Sequence, residues 1–198
     1  DRNTLLGAAG FAAAYRETEL HEGAMSAVTR ALDHILTHHD PYPAVVVNGT
    51  WDVLRMNNGA LLVFGALFDG HAPPTNLVRV LLDPIVRAKL VNFEQIAMSI
   101  SQRLHREAAI APVGSSLRDL VQEVAKRSDL PNCWHTVSTR PLDVVLPVHV
   151  RLSTCELRFF TTITTLGTPL DVTAEEIRIE SYFPMDSNTD NWVRGLNS

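Results

Sequence analysis

The strongest constraint on this chain is the order in which its hydrophobic period changes. Ala44 to Val47 and Trp51 to Met56 are runs of β-type residues separated by Asn48-Gly49-Thr50. Asn-Gly between two such runs predicts a hairpin, because both residues tolerate the positive φ angles that a tight primed turn demands. Far downstream, Val144, Leu146, Val148, Val150 and Leu152 alternate with Val145, Pro147, His149 and Arg151, the two-residue period of a strand with one buried face. Pro147 points to an edge position or a bulge. Cys155 to Leu166 follows, with Phe159 to Thr165 wholly aromatic or β-branched. Gly167 to Asp171 breaks that run, and Val172 to Phe183 supplies a final strand with Ile177, Ile179, Ser181 and Phe183 on one face.

Between these ends the period is helical. Met25, Val28, Leu32 and Ile35 or Leu36 mark one face of a helix from about residue 21 to 39, stopped by Pro41 and Pro43. Asn57 suits the N-cap of the apolar run Ala60 to Phe68. Short helices are expected at Leu77 to Leu82 and Ile85 to Val91, with Pro84 in a first turn and Asn76 and Asp83 as caps. A longer helix begins near Phe93, where Phe93, Ile96, Ala97, Ile100 and Leu104 form the apolar face and Gln102, Arg103 and Arg106 fall elsewhere. Another begins at Ser115 or Ser116, with Asp119 completing a weak capping box.

Two strands, a helical middle and three strands predict an α+β fold: a five-stranded antiparallel sheet with helices packed on one face, plus an N-terminal helix. That is also the element order of a PAS domain. Composition narrows the role. Seventeen Lys and Arg against 22 Asp and Glu give a net charge of −5, so a nucleic-acid groove would be built against the overall field. Cys133 and Cys155 lack the paired spacing of a zinc site or a redox dithiol, and reduced thiols in a cytoplasm are the default. The longest apolar stretches are far shorter than the roughly 20 residues of a membrane span. The chain opens on Asp1, and residues 1 to 20 read as a linker, with 21 to 198 as the folded domain; a fragment of something longer is the expectation.

Specific stretches carry a resemblance over nearly the whole length. Pro41-Tyr42-Pro43-Ala44-Val45-Val46-Val47 leading to Trp51-Asp52-Val53-Leu54 and Asn57, then Asn76-Leu77-Val78-Arg79, Leu82-Asp83-Pro84 and Val91-Asn92-Phe93-Glu94, resemble the MmyB-like ligand-binding domain of bacterial transcription regulators. Phe93 stands where that family more usually has Trp. The most specific match runs from Leu157 through Phe159-Phe160-Thr161-Thr162-Ile163 and Gly167-Thr168-Pro169 to Asp171-Val172-Thr173, Arg178-Ile179-Glu180 and Phe183-Pro184. The resemblance implies a PAS-like effector-sensing domain following a Cro/repressor-type helix-turn-helix domain. Residues 2 to 10 resemble the junction after that domain, so DNA would be contacted only through a preceding part. It also implies a small, often apolar ligand such as a fatty acid, no required cofactor, and no catalysis.

A sheet with helices across one face leaves room for an apolar pocket with a few polar anchors. The expected walls are Phe64, Phe93, Ile96, Ile100, Leu104 and Trp134 from the helices and Val47, Phe159, Thr161, Ile163 and Ile179 from the sheet, most of them core in any case. Trp51 beside the turn is a candidate to close one end, although a cover for the sheet explains it better. Asn57 is a further candidate for the site but is better explained as a cap. Arg79 and Arg87 are the candidates to hold a carboxylate, since a guanidinium offers a bidentate fork. His34 and His38 stand one helical turn apart, but without a third ligand a solvated helix end explains them better. Cys133-Trp134-His135 lacks the oriented acid of a nucleophile site.

Three classes of function follow: a sensor that changes the geometry of two tethered DNA-binding heads in a homodimer, a ligand-free dimerisation module with a filled core, and a small enzyme. The last ranks lowest because Glu94, Glu107, Asp119 and Glu123 fall at helical positions that look solvent-facing.

Overall fold

A computed structural model describes residues 24–134, 145–166 and 177–195. The expected linker at 1 to 20, the breaker at 167 to 171 and the first residues of the last strand, 172 to 176, lie outside the described residues.

The elements follow the order read from the period: α1 (Ala24–His39), β1 (Ala44–Val47), β2 (Val53–Met56), α2 (Asn58–Leu67), α3 (Leu77–Leu82), α4 (Pro84–Lys89), α5 (Phe93–Ile110), α6 (Ser116–Ala125), a 3₁₀ turn at Asn132–Trp134, β3 (Leu146–Arg151), β4 (Glu156–Leu166), β5 (Ile177–Pro184) and α7 (Ser187–Gly195). The strands form one antiparallel sheet in the order β2-β1-β5-β4-β3. This is an α+β fold of PAS-like topology.

The sheet is covered on both faces. Val45, Val47, Val150, Leu157 and Phe159 point into the main core with α2 to α6. Ala44, Val46, Ile177 and Ile179 point the other way, onto Leu32 and Leu36 of α1. The two-residue period of the central strands therefore places one apolar set under each layer.

Pro147 lies on edge strand β3, where the missing N–H costs no inner ladder bond. The outer rim of β3 is covered by the segment after α4. Val91 N donates to His149 O at 2.9 Å, and Asn92 accepts from His149 N and donates to Pro147 O, both at 2.9 Å. An edge closed in this way offers no free ladder to another strand.

Two local expectations need correction, and one element has no expectation to match it. The hairpin turn is not a tight primed turn on Asn48-Gly49. Trp51 N donates to Asn48 O at 3.0 Å and Asn48 N to Asp52 O at 3.1 Å, and the positive φ, 67°, belongs to Trp51. The Asn48 carboxamide oxygen accepts from Thr50 N, Thr50 Oγ1 and Asp52 N at 2.8–3.0 Å, which lengthens the loop to three residues. The Ser116–Asp119 capping box does not form: Ser116 is already the first helical residue, and Ser115 takes the N-cap position through its carbonyl while its hydroxyl makes no cap bond. Helix α7 was not read from the sequence at all, although Asp186 accepts from Thr189 N at 2.7 Å as an ordinary helix start.

Asn57 and Asn76 hold the hairpin to the helices. Asn57 Oδ1 accepts from Ala60 N and Ala44 N at 2.9 Å each, and its Nδ2 donates to Tyr42 O at 2.7 Å. Asn76 caps α3 and donates to Thr50 O and Asp52 Oδ1, both at 2.9 Å. Burial acts to raise the Asp52 pKa, but the bonds from Asn76, Thr50 and Asn48 outweigh it and hold the carboxyl below its ordinary value.

Candidate functional site

Between the sheet and the α2–α5 layer lies a cavity of about 100 Å³. Its helical wall is Val63, Phe64 and Leu67 of α2, Leu77, Val80 and Leu81 of α3, Val86 of α4, Leu90, and Ile96 and Ile100 of α5. Its sheet wall is Leu146, Val148 and Val150 of β3 and Phe159 of β4. Thr161, Arg103, Glu180, Tyr182 and Trp51 also line it and supply its polar groups.

Trp51 organises that polar end. It is fully buried, and its indole Nε1 donates to Glu107 at 2.8 Å. The guanidinium carbons of Arg103 and Arg178 lie 4.5 and 4.9 Å from its ring, within cation–π reach. Arg103 pairs with Glu180 at 3.2 Å, and Arg178 pairs with Glu107 while donating to Asn48 O at 3.1 Å. Tyr182 Oη donates to Glu180 at 3.5 Å. Burial, reinforced by the Glu180 charge, pushes the Tyr182 phenol well above its ordinary pKa, so it stays a neutral donor.

Six of the residues expected at the site meet in the cavity: Trp51, Phe64, Ile96, Ile100, Phe159 and Thr161. Val47, Leu104 and Trp134 belong to the surrounding core, and Phe93 packs against it from a partly buried position. Ile163 shares the cavity face through its pairing with Glu180 but is 43% exposed. Ile179 faces α1, because the apolar face of β5 is the one turned away from the cavity. Asn57 is occupied by its knot of backbone bonds.

Arg79 and Arg87, the carboxylate candidates, sit elsewhere. Arg79 makes a bidentate pair with Glu123 at 3.0 and 2.6 Å, and Arg87 pairs with Asp129 beside Phe93.

Sequence reasoning missed much of the apolar wall, including the α3 residues Leu77, Val80 and Leu81 and the β3 residues Leu146, Val148 and Val150, and, at the polar end, Arg103, Glu180 and Tyr182. Arg103, outside the apolar stripe of α5 by residue type, and Glu107, at a position that looks solvent-facing, lie three and seven residues after Ile100, in register with it. Glu180 and Tyr182 fall on the face of β5 opposite its apolar residues. Charged residues in phase with an apolar stripe were the available signal.

Among the described residues no group of three His, Cys, Asp or Glu is placed to hold a metal, and no helix is long and apolar enough to cross a membrane. The site can enclose an apolar body and hydrogen-bond one polar group.

A family model described as MmyB-like transcription regulator ligand binding domain matches residues 28–196. The structure of the PAS domain from Bordetella pertussis BvgS is similar at 15% sequence identity and a TM-score of 0.34, over 85% of this chain and 98% of that one. No curated protein matches.

Proposed function

The chain belongs to the MmyB-like transcription regulator ligand-binding family, an effector-sensing and not a catalytic one, and we propose that its effector is a compact apolar molecule held in the cavity between sheet and helices. The observation that carries this proposal is the cavity itself. Side chains of both layers converge on it without meeting, and protein interiors keep few such spaces. A filled core would have supported the dimerisation module instead.

Size limits the occupant. About 100 Å³ is below the range of roughly 300–1,000 Å³ of drug-sized pockets and near the roughly 150 Å³ that admits one benzene ring. A short acyl chain or a single ring fits this scale. A long-chain fatty acid requires the walls to part. In a regulator, occupancy shifts the balance of two packings by the ligand's differential affinity for them, and DNA-binding heads preceding this domain in a homodimer would read the change.

Native mass spectrometry of the purified chain, followed by denaturing extraction, tests the ligand. A stoichiometric apolar passenger, or a melting temperature raised by a panel of small apolar compounds, is the expected result. An empty protein unmoved by the panel transfers the role to ligand-free dimerisation.

A further inference from the structure

Resting on the cavity as the ligand site, we propose that it selects an uncharged head group that accepts a hydrogen bond from Arg103 and donates one to Glu180: an alcohol, phenol or primary amide, not a carboxylate or an amine. Among the described residues the charged ones lining the cavity are these two, paired at 3.2 Å with side chains 13% and 5% exposed. Behind Trp51 the next pair, Arg178 with Glu107, is balanced in the same way.

The polar end therefore carries no net charge to offset an ionised ligand. A carboxylate drawn to Arg103 would meet Glu180, and an ammonium drawn to Glu180 would meet Arg103. Either ion would give up its hydration for a site already neutral, which is the costly case for a buried charge.

Both members of the pair retain bonding capacity. Glu180 accepts from Arg103 Nη1 at 3.2 Å, the long end of the hydrogen-bond range, and from Tyr182 Oη at 3.5 Å, a contact longer than an ordinary O–H···O bond. A carboxylate accepts about four bonds and a guanidinium donates five. A hydroxyl or carboxamide bridging the two uses that capacity without disturbing the charge balance. Arg79 and Arg87 supply no alternative cation, since both are engaged with Glu123 and Asp129 outside the cavity.

Four probes that share one ring isolate the head group: toluene, benzyl alcohol, benzoate and benzylamine. Each is titrated at neutral pH into the whole chain, stripped of any co-purified molecule, with dissociation constants read by protein-observed NMR. Benzyl alcohol is expected to bind at least tenfold tighter than either ion and several-fold tighter than toluene. In Glu180→Gln, which leaves Arg103 unopposed, benzoate is expected to gain about tenfold. Benzoate binding as tightly as benzyl alcohol to the natural chain, or toluene doing so, would overturn the neutral-head proposal and leave the cavity reading standing. No binding by any of the four would overturn both. The comparison within the natural chain decides the matter even where the Gln variant fails to fold.

Discussion

At the scale of single residues, Trp51 joins the turn, the cavity and the charge network. A bulky residue at φ 67° is strained, and such conformations persist only where surrounding structure over-determines them. Here the surroundings are explicit: Leu77 N donates to Trp51 O at 2.8 Å, the indole N–H is held by Glu107, and two guanidinium groups lie against the ring. Trp51→Phe keeps an aromatic body but removes the indole bond to the charged Glu107, which keeps only Arg178, and roughly 1–3 kcal/mol of stability is expected to be lost in urea unfolding. A variant as stable as the natural chain would show that the indole bond contributes nothing. Little of this was legible in the sequence. Asn-Gly announces a turn, but the turn type depends on where the Asn48 side chain folds back, and that moves the left-handed residue to Trp51. Asn57, by contrast, was legible as a cap, because a short polar side chain before an apolar helical run has that local use. Its further bonds to Ala44 and Tyr42 depend on chain segments that meet only in the fold.

At the scale of elements, α3 and α4 have six residues each, too short to persist without tertiary support. Their apolar sides form the cavity wall and their outer sides are clamped. Arg79 of α3 holds Glu123 of α6, while Arg87 of α4 and Arg127 both hold Asp129, and Arg127 also donates to Leu82 O at 3.1 Å. Hydrogen bonds from Arg127, more than burial opposes them, place the Asp129 pKa far below its ordinary value, and Arg79 lowers that of Glu123. For a depressed carboxylate the stabilisation is present above the unfolded-state pKa near 4 and is lost as pH falls through the folded value. The natural chain is therefore expected to exceed Asp129→Asn in stability by a constant margin from about pH 7 to 5, with the margin shrinking below about pH 4. Urea midpoints across that range provide the check, and a margin independent of pH would remove the clamp from the account. Element positions were well legible, because periods of two and about 3.6 are local properties. The Arg79–Glu123 and Arg87–Asp129 pairs were not, since each joins residues more than 40 positions apart.

At the scale of the whole molecule, the cavity and the fold are two consequences of one arrangement. The central strands are covered on both faces, by α1 on one and by α2–α5 on the other, and the cavity lies only on the second. A ligand there touches the sheet and the short helices together, so it biases how those layers pack. A ligand fills that space and, at 100 times its dissociation constant, stabilises the domain by about 2.7 kcal/mol. For a domain of this size that corresponds to a rise of roughly 5–10 °C in melting temperature. Val148→Phe separates the two effects. Phenylalanine is at ease on a strand, and its added volume enters the cavity from the β3 wall. The variant is expected to melt within a few degrees of the natural chain, or above it, while losing most of the ligand-induced rise. Loss of the rise with stability retained means that the space was kept for an occupant. A variant that responds to ligand like the natural chain would place the binding site elsewhere on the domain.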